Sequence, residues 1–329
     1  MASITVKNKR FHLIYTASFI LMIALAVIGL FVGKYPLSIE KLLAGDEMQW
    51  RVFWMLRFSR TVVGVVGGFA LGVSGFVYQT VFRNPLASPD IIGVSSGASA
   101  GAAVGILFLS GAFSVTVSSF AGALIAVVLA LALSFLDKSS KNSSIVLAGI
   151  AVHSLAQTAL MCLKLTADPE RELASIEYWI MGSLNAISGY SIKGNLILCA
   201  VCLIVLFLLH RQVVLLSAEE GEARMLGVSV GKMRLAVLLV ATLTVSSVVS
   251  LTGLISFVGL LAPHAARMLT KNNRIGTMLL SGCLGGILLC GADILARSVA
   301  QTELPVSIFT SLLGAPFLIF LIARRRKTV

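Results

Sequence analysis

The stretch R-F-S-R-T places Arg57 and Arg60 one helical turn apart, at the lip of a long apolar run. A guanidinium at the edge of a membrane span either marks the cytoplasmic side or is there to bind an anion. Asp293 and Arg297, spaced i and i+4 near the end of a late apolar run, can neutralise each other on one helix face. That pair reads either as a simple interfacial ion pair or as part of a functional site. His153, alone within a span, reads as a hydrogen-bonded packing residue; His264, next to Pro263, as a partner for backbone freed by the proline. Cys199 and Cys202 form a C-x2-C, but inside L-I-L-C-A-V-C-L-I-V-L-F-L-L with no further ligand nearby. They read, like Cys162, Cys283 and Cys290, as apolar-run cysteines and not as a metal site.

Catalysis finds little to work with. There is no H-E-x-x-H, no G-x-S-x-G and no G-x4-G-K-[ST]; the G-K pairs at 33–34 and 231–232 lack that frame. No Asp, Glu or His is placed mid-span as a proton or sodium relay. The expectation is a non-catalytic chain with no metal and no cofactor of its own. If nucleotide drives it, a partner must bind that nucleotide.

The elements that position these residues are apolar runs. Of 329 residues, 57% are hydrophobic and 12% charged, which is a membrane composition and not that of a soluble core. The runs at 11–33, 60–82, 91–110, 113–135, 144–165, 193–210, 234–252, 254–269, 276–296 and 306–323 predict an all-α polytopic membrane protein. It has ten transmembrane helices in a single domain, 1–329. The stretch 235–266 is too long for one span, and Gly253 and Gly259 are where it is expected to break. Lys7, Lys9 and Arg10 precede a run that continues past an A-x-A at 24–26, so an uncleaved first span is expected. With ten spans and both termini cytoplasmic, the inner segments hold 17 of the 26 Lys and Arg, as the positive-inside rule prefers. The net charge of +12 is thereby explained by loops facing membrane lipids and cytoplasm, without nucleic acid. Arg57 and Arg60 then fall on the outer face, where that rule does not explain them.

Gly93, Gly97, Gly101 and Gly105 recur every four residues, as do Gly64, Gly68 and Gly72, and Gly282 with Gly286. Such stripes let helix backbones approach closely in lipid. Three stretches are less regular. N-P-L-A-S-P-D-I-I-G-V-S-S-G-A-S at 84–99 breaks helix at Pro85 and Pro89, a pointer to a transport path. S-A-E-E-G-E-A-R-M-L-G-V at 217–228 clusters acids on an inner loop, and reads as a docking surface for a cytoplasmic partner or a solvated loop. G-L-I-S-F-V-G-L-L-A-P-H at 253–264 puts Pro263 and His264 where they interrupt an apolar helix before Arg267.

Together these stretches resemble the permease subunits of the iron-siderophore and cobalamin class of ABC importers, the FecCD family with its type II importer fold. The resemblance runs from residue 50 to 324. It rests on ordered motifs: R-x-x-R-T with G-x-x-L-x-x-S-G-x-x-x-Q at 57–79, N-P-L-A-S-P-D-I-I-G, E-x-x-A-R-x-L-G-V at 220–228, S-F-V-G-L-L-A-P-H-x-x-R at 256–267, A-D-x-x-A-R at 292–297 and L-P-x4-T-x-x-L-G-A-P at 304–316. It implies a multi-pass protein of the plasma (inner) membrane of a prokaryote. The chain would pair with a second copy or a related permease, a cytoplasmic ABC ATPase dimer that carries the ATP and magnesium, and an extracytoplasmic substrate-binding protein. By the same resemblance Arg57, Arg60 and Arg297 dock that binding protein through its glutamates. Glu219, Glu220, Gly221, Ala223, Arg224, Leu226 and Gly227 belong to the loop that couples to the ATPase. Asn84, Leu86, Ser143 and Ser144 match positions near the cytoplasmic gate. The implied cargo is a ferric siderophore, with haem or cobalamin as alternatives; from a different class, an ion-coupled secondary transporter is the competing function. Family members often read Leu-Pro where this chain has Phe58-Ser59, and losing that proline predicts a less bent lip.

Overall fold

In lipid every backbone polar group must find its partner within the protein, so apolar runs fold as helices. The computed structural model describes residues 2–109, 111–136, 142–185, 187, 192–217, 229–300 and 302–325, and among these all regular structure is helical. The order is α1 (Ala2–Phe31), α2 (Ile39–Leu43), α3 (Glu47–Arg51), a π-helical turn (Val52–Phe58), α4 (Ser59–Val81), a 3-10 turn (Pro89–Ile92), α5 (Val94–Phe108), α6 (Ala112–Leu136) and α7 (Asn142–Thr166). Then come α8 (Glu172–Ile180), α9 (Lys193–Leu208), α10 (His210–Leu215), α11 (Val230–Thr252), α12 (Val258–Thr270), α13 (Ile275–Ser298) and α14 (Val306–Arg325).

Six helical stretches among the described residues are long and apolar enough to cross a membrane: Phe11–Phe31, Glu47–Val81, Ala112–Ser134, Ser144–Thr166, Val230–Thr252 and Ile275–Ser298. The expected runs at 91–110, 193–210 and 254–269 give shorter helices: α5 has 15 residues, α9 16 and α12 13. The run at 306–323 is helical throughout, inside the 20-residue α14. A 15-residue helix rises only about 22 Å. The reason for the shortfall is that these apolar counts include residues that the structure spends on turns: Ile91, Ile92 and Gly93 before α5, and Leu254 to Phe257 before α12.

The 235–266 stretch does break at Gly253, whose φ of 69° is open to glycine at little cost. Gly259 does not interrupt anything; it lies inside α12, and so does Pro263. The exposed backbone at this break is tied off. Ser183 N donates to Thr252 O at 2.7 Å, Val306 N to Gly182 O at 3.0 Å and Ser307 Oγ to Leu254 O at 2.6 Å.

α4 is the central helix, buried along most of its length and packed on α11, α12 and α13. Gly68 and Gly72 meet the backbone of Gly285, Gly286 and Ser281 in α13, so any side chain there would collide with main chain. Gly97, Gly101 and Gly105 do the same for α5 against Ser118, Gly122 and Ala126 of α6. Gly93 does not belong to that stripe. It caps α5 in the left-handed conformation, φ 83°, and rests on the backbone of His153 in α7. Across the core, Tyr78 of α4 and Thr242 of α11 share a hydrogen bond of 2.6 Å, both fully buried. All five cysteines are free.

Candidate functional site

Two clusters gather the residues singled out in the sequence, one at each end of α4. At the first, the π-helical turn runs into α4 without a break, so the chain is continuous helix from Glu47 to Val81. π-turns widen the helix locally. Here Arg57 faces inward while its neighbours Met55, Leu56 and Phe58 stay exposed. Helix continues through Phe58-Ser59 at the lip.

That lip brings Arg57, Arg60 and Arg297 together but does not present them. They are 6%, 7% and 4% exposed. Arg60 Nε meets Asp293 Oδ1 at 2.8 Å and its Nη1 meets Glu303 Oε2 at 2.8 Å. Arg297 Nη2 meets the other Asp293 oxygen at 2.7 Å. Arg297 Nη1 donates to Gly29 O and Val32 O, both at 3.0 Å, and Arg57 donates to the same Val32 carbonyl and, at 3.1 Å, to Tyr35 O. So two of the three arginines cap the C-terminal end of α1, where the orphan carbonyls of a helix carry partial negative charge. In this conformation the guanidinium groups of all three are engaged by internal partners. The Asp293–Arg297 pair is not a lone interfacial pair, since Asp293 is 3% exposed and serves Arg60 as well. Three cations against two carboxylates leave the cluster one positive charge in excess. Among the described residues Arg60 Nη2 is buried without a hydrogen-bond partner, and Glu303 is the acid nearer solvent.

Glu303 was not legible as a member, because it sits outside any helix, just before Leu304-Pro305.

At the other end of α4 the chain doubles back. Asn84 Oδ1 accepts from Leu86 N at 2.9 Å, and Asn84 N donates to Gln79 O at 3.1 Å, which closes the turn. Leu86 is 50% exposed. The Pro89–Ile92 turn packs on α7, where Gly149 accommodates the Ile91 carbonyl. Ser144 is buried at the start of α7; Ser143 lies in the same turn of helix, its side chain outside the described residues. Residues 84–93 and 253–257 are both irregular, and they face each other across a cavity of about 200 Å³ lined by Ser88, Asp90, Ser95, Ser256 and Phe257 among others. Irregular backbone at membrane depth is tolerated where it lines a cavity or is buried in protein. Phe257 itself adopts φ 65°, unusual for a residue with a bulky side chain.

Arg267 is the principal residue at this end that its motif did not assign. Its Nε donates to Asn273 Oδ1 at 2.7 Å, its Nη1 to Gln79 Oε1, and its Nη2 to Thr80 Oγ1 at 2.7 Å and Phe76 O at 3.2 Å. The guanidinium also lies 4.6 Å over the Phe76 ring. Gln79 in turn donates to Leu260 O at 3.0 Å. Arg267 and Gln79 both stand in the motifs quoted above, but nothing in the sequence pairs them. His264 sets its ring edge-on to Phe317 at 6.0 Å, which links α12 to α14. Glu219, Glu220, Gly221, Ala223, Arg224, Leu226 and Gly227 lie outside the described residues.

Comparison with known proteins agrees with the motif order. A family model, the FecCD transport family, matches residues 21–324. The chain is 36% identical over 271 residues to the cobalamin import system permease protein BtuC of Halobacterium salinarum, covering 82% of this chain and 73% of that one. It is also 36% identical over 326 residues to the hemin transport system permease protein HmuU of Yersinia pestis, 94% of each. A solved inward-facing conformation of a metal-chelate type ABC transporter superposes with a TM-score of 0.84 at 31% identity, over 94% of this chain and 99% of that one.

Proposed function

Because this chain belongs to the FecCD transport family, and is thereby a multi-pass plasma-membrane permease of an ABC importer, we propose that it carries ferric siderophore complexes inward. Two copies, or this chain and a related one, line the path, and the ATP and magnesium belong to separate ATPase subunits. The observation that carries the transport reading is the facing pair of irregular stretches, 84–93 and 253–257, with a cavity of mixed polar and apolar lining between them. Ser154 and Thr158 of α7 add to it. Both are exposed, in the middle of a span, and each hydroxyl donates to a carbonyl of its own helix. A seam of that kind suits contact with a second permease or a wet path better than lipid.

The ten-span topology with both termini cytoplasmic follows if α5, α9, α12 and α14 also cross, the missing length of the first three made up by the turns beside them. The inner end is then that of Asn84, Leu86, Ser143 and Ser144, and we assign them to the gate. Residues 219–227 are assigned to ATPase coupling. A cargo whose metal is already chelated asks the permease for no metal ligands, only for a path wide enough to pass it. The similar proteins named for cobalamin, hemin and metal chelates share this chemistry with a ferric siderophore.

The docking role of Arg57, Arg60 and Arg297 changes form. Arg57 and Arg297 build the lip, whereas Arg60 meets an acidic binding protein by exchanging Glu303 for an incoming carboxylate. The excess positive charge of the cluster draws that partner in.

The deciding experiment is reconstitution in proteoliposomes with the cognate ATPase and binding protein, offered labelled ferric siderophore, haem and cobalamin in parallel. ATP-dependent uptake of the siderophore alone is expected. Uptake by the permease alone, driven by an ion gradient, would sink the reading, and preference for haem or cobalamin would move the substrate.

A further inference from the structure

Trp50, Phe53, Trp54 and Phe58 form a continuous ladder at the Arg57 end of the molecule. Trp50 and Trp54 stack with centroids 6.1 Å apart, Phe53 meets Trp54 edge-on at 5.4 Å, and Trp54 meets Phe58 at 4.8 Å. Trp50, Trp54 and Phe58 are 43%, 47% and 40% exposed, so the ladder has one face against the protein and one without a partner in this chain. Leu43, Met48 and Leu56, all exposed, extend the apolar face, while exposed Lys41, Glu47 and Arg51 border it. The indole N–H of Trp50 is satisfied by Leu42 O at 2.8 Å.

Two independent lengths set the height of this ladder. The helical rod from Glu47 to Val81 has 35 residues and rises roughly 50 Å, well beyond a hydrocarbon core of about 30 Å. Since α4 alone, with 23 residues, spans that core, the residues before Ser59 stand in the next layer out. The second length is α1, which ends at Phe31; the Val32 carbonyl just past that end accepts from Arg57. Two helices of separate sequence thus agree on where the hydrocarbon stops, and the ladder sits immediately beyond.

Tryptophan and phenylalanine at that depth, bordered by charge, match the water–lipid interface, where amphipathic rings are favoured. We propose that residues 47–58 form an aromatic anchor that lies in the headgroup layer of the bilayer and fixes the height of the arginine–carboxylate cluster. The π-helical turn is what makes both possible. It sends Arg57 inward to the cluster while its flanking residues face out to lipid. The occupant of the ladder's open face is phospholipid, not a second permease and not a soluble partner. The inference does not depend on the transported substrate or on any docking role of the arginines.

The chain has three tryptophans, so Trp179→Phe leaves only Trp50 and Trp54 to emit. That variant in nanodiscs is titrated with lipid carrying a nitroxide on the headgroup, with lipid carrying it deep on the acyl chain, and with aqueous iodide. The headgroup label is expected to quench at least about twofold more than the deep label. Stronger quenching by the deep label overturns the proposal. So does protection from both lipids, whether iodide reaches the rings or a partner copy shields them. Should Trp179→Phe fold poorly, the unaltered chain is compared with a Trp50→Phe, Trp54→Phe variant, and the difference reports the ladder alone.

Discussion

Asp293 stands between Arg60 of α4 and Arg297 of its own helix, giving one carboxylate oxygen to each at 2.8 and 2.7 Å. The carboxylate is buried and the two guanidiniums are held apart by nothing else as close. Removing one partner of a buried ion pair leaves an uncompensated charge and costs about 3–5 kcal/mol. Asp293→Ala is therefore expected to lower thermal stability sharply in detergent, and Asp293→Asn less so. Unaltered melting of the alanine variant would show the pair to be dispensable.

Glu303 lends Arg60 its second carboxylate from a connector, where it is partly reached by solvent. Glu303→Gln should tighten association of the binding protein by roughly two- to tenfold, whereas Arg60→Glu should abolish it. Affinity is read on permease in nanodiscs at two salt concentrations. If neither variant changes it, docking through this cluster is wrong; if only Arg60→Glu does, Glu303 is not the exchanging group.

The close approach of α4 and α13 leaves no room at Gly72, where a methyl would overlap the Ser281 carbonyl. Gly72→Ala is expected to cut folded yield and shift the melting point downward. Gly194→Ala, with open space around it, should stay within about 0.5 kcal/mol of the parent.

Arg267 is a fork and not merely a charge. Arg267→Lys keeps the cation but loses the planar geometry that reaches Gln79, Thr80 and Asn273 together. Uptake should fall strongly in both Arg267→Lys and Arg267→Ala, with little rescue by lysine. Full activity of the lysine variant would reduce the residue to electrostatics.

What the sequence made legible follows from what repeats locally. Glycine spacing announced close packing on α4, α5 and α13, because a stripe on one helix is a local property; which helices the stripes meet was not legible. The same spacing misassigned Gly93, since S-P-D-I-I-G ends a turn at the position where the stripe happens to begin. The convergence of Arg57, Arg60 and Arg297 was reachable through motif order. Their burial was not, because it depends on Val32, Tyr35 and Glu303, residues far away in sequence that carry no pattern. Helix lengths near 91, 193 and 254 were overestimated for a related reason: hydropathy counts apolar residues in turns and helices alike. Arg267 and Gln79 were visible as types, and invisible as a pair.

Pro263 has no N–H to offer the Gly259 carbonyl one turn earlier in α12, and it is against this carbonyl that Gly75 of α4 rests, so closely that no side chain fits between. That contact is not alone: one turn on, Gln79 of α4 donates to Leu260 O, and Arg267 of α12 reaches back to Gln79, Thr80 and Phe76 O. α12 and the C-terminal half of α4 are thus riveted by backbone at one point and by a guanidinium at the next, and the irregular stretch 253–257 is hung from a fixed post.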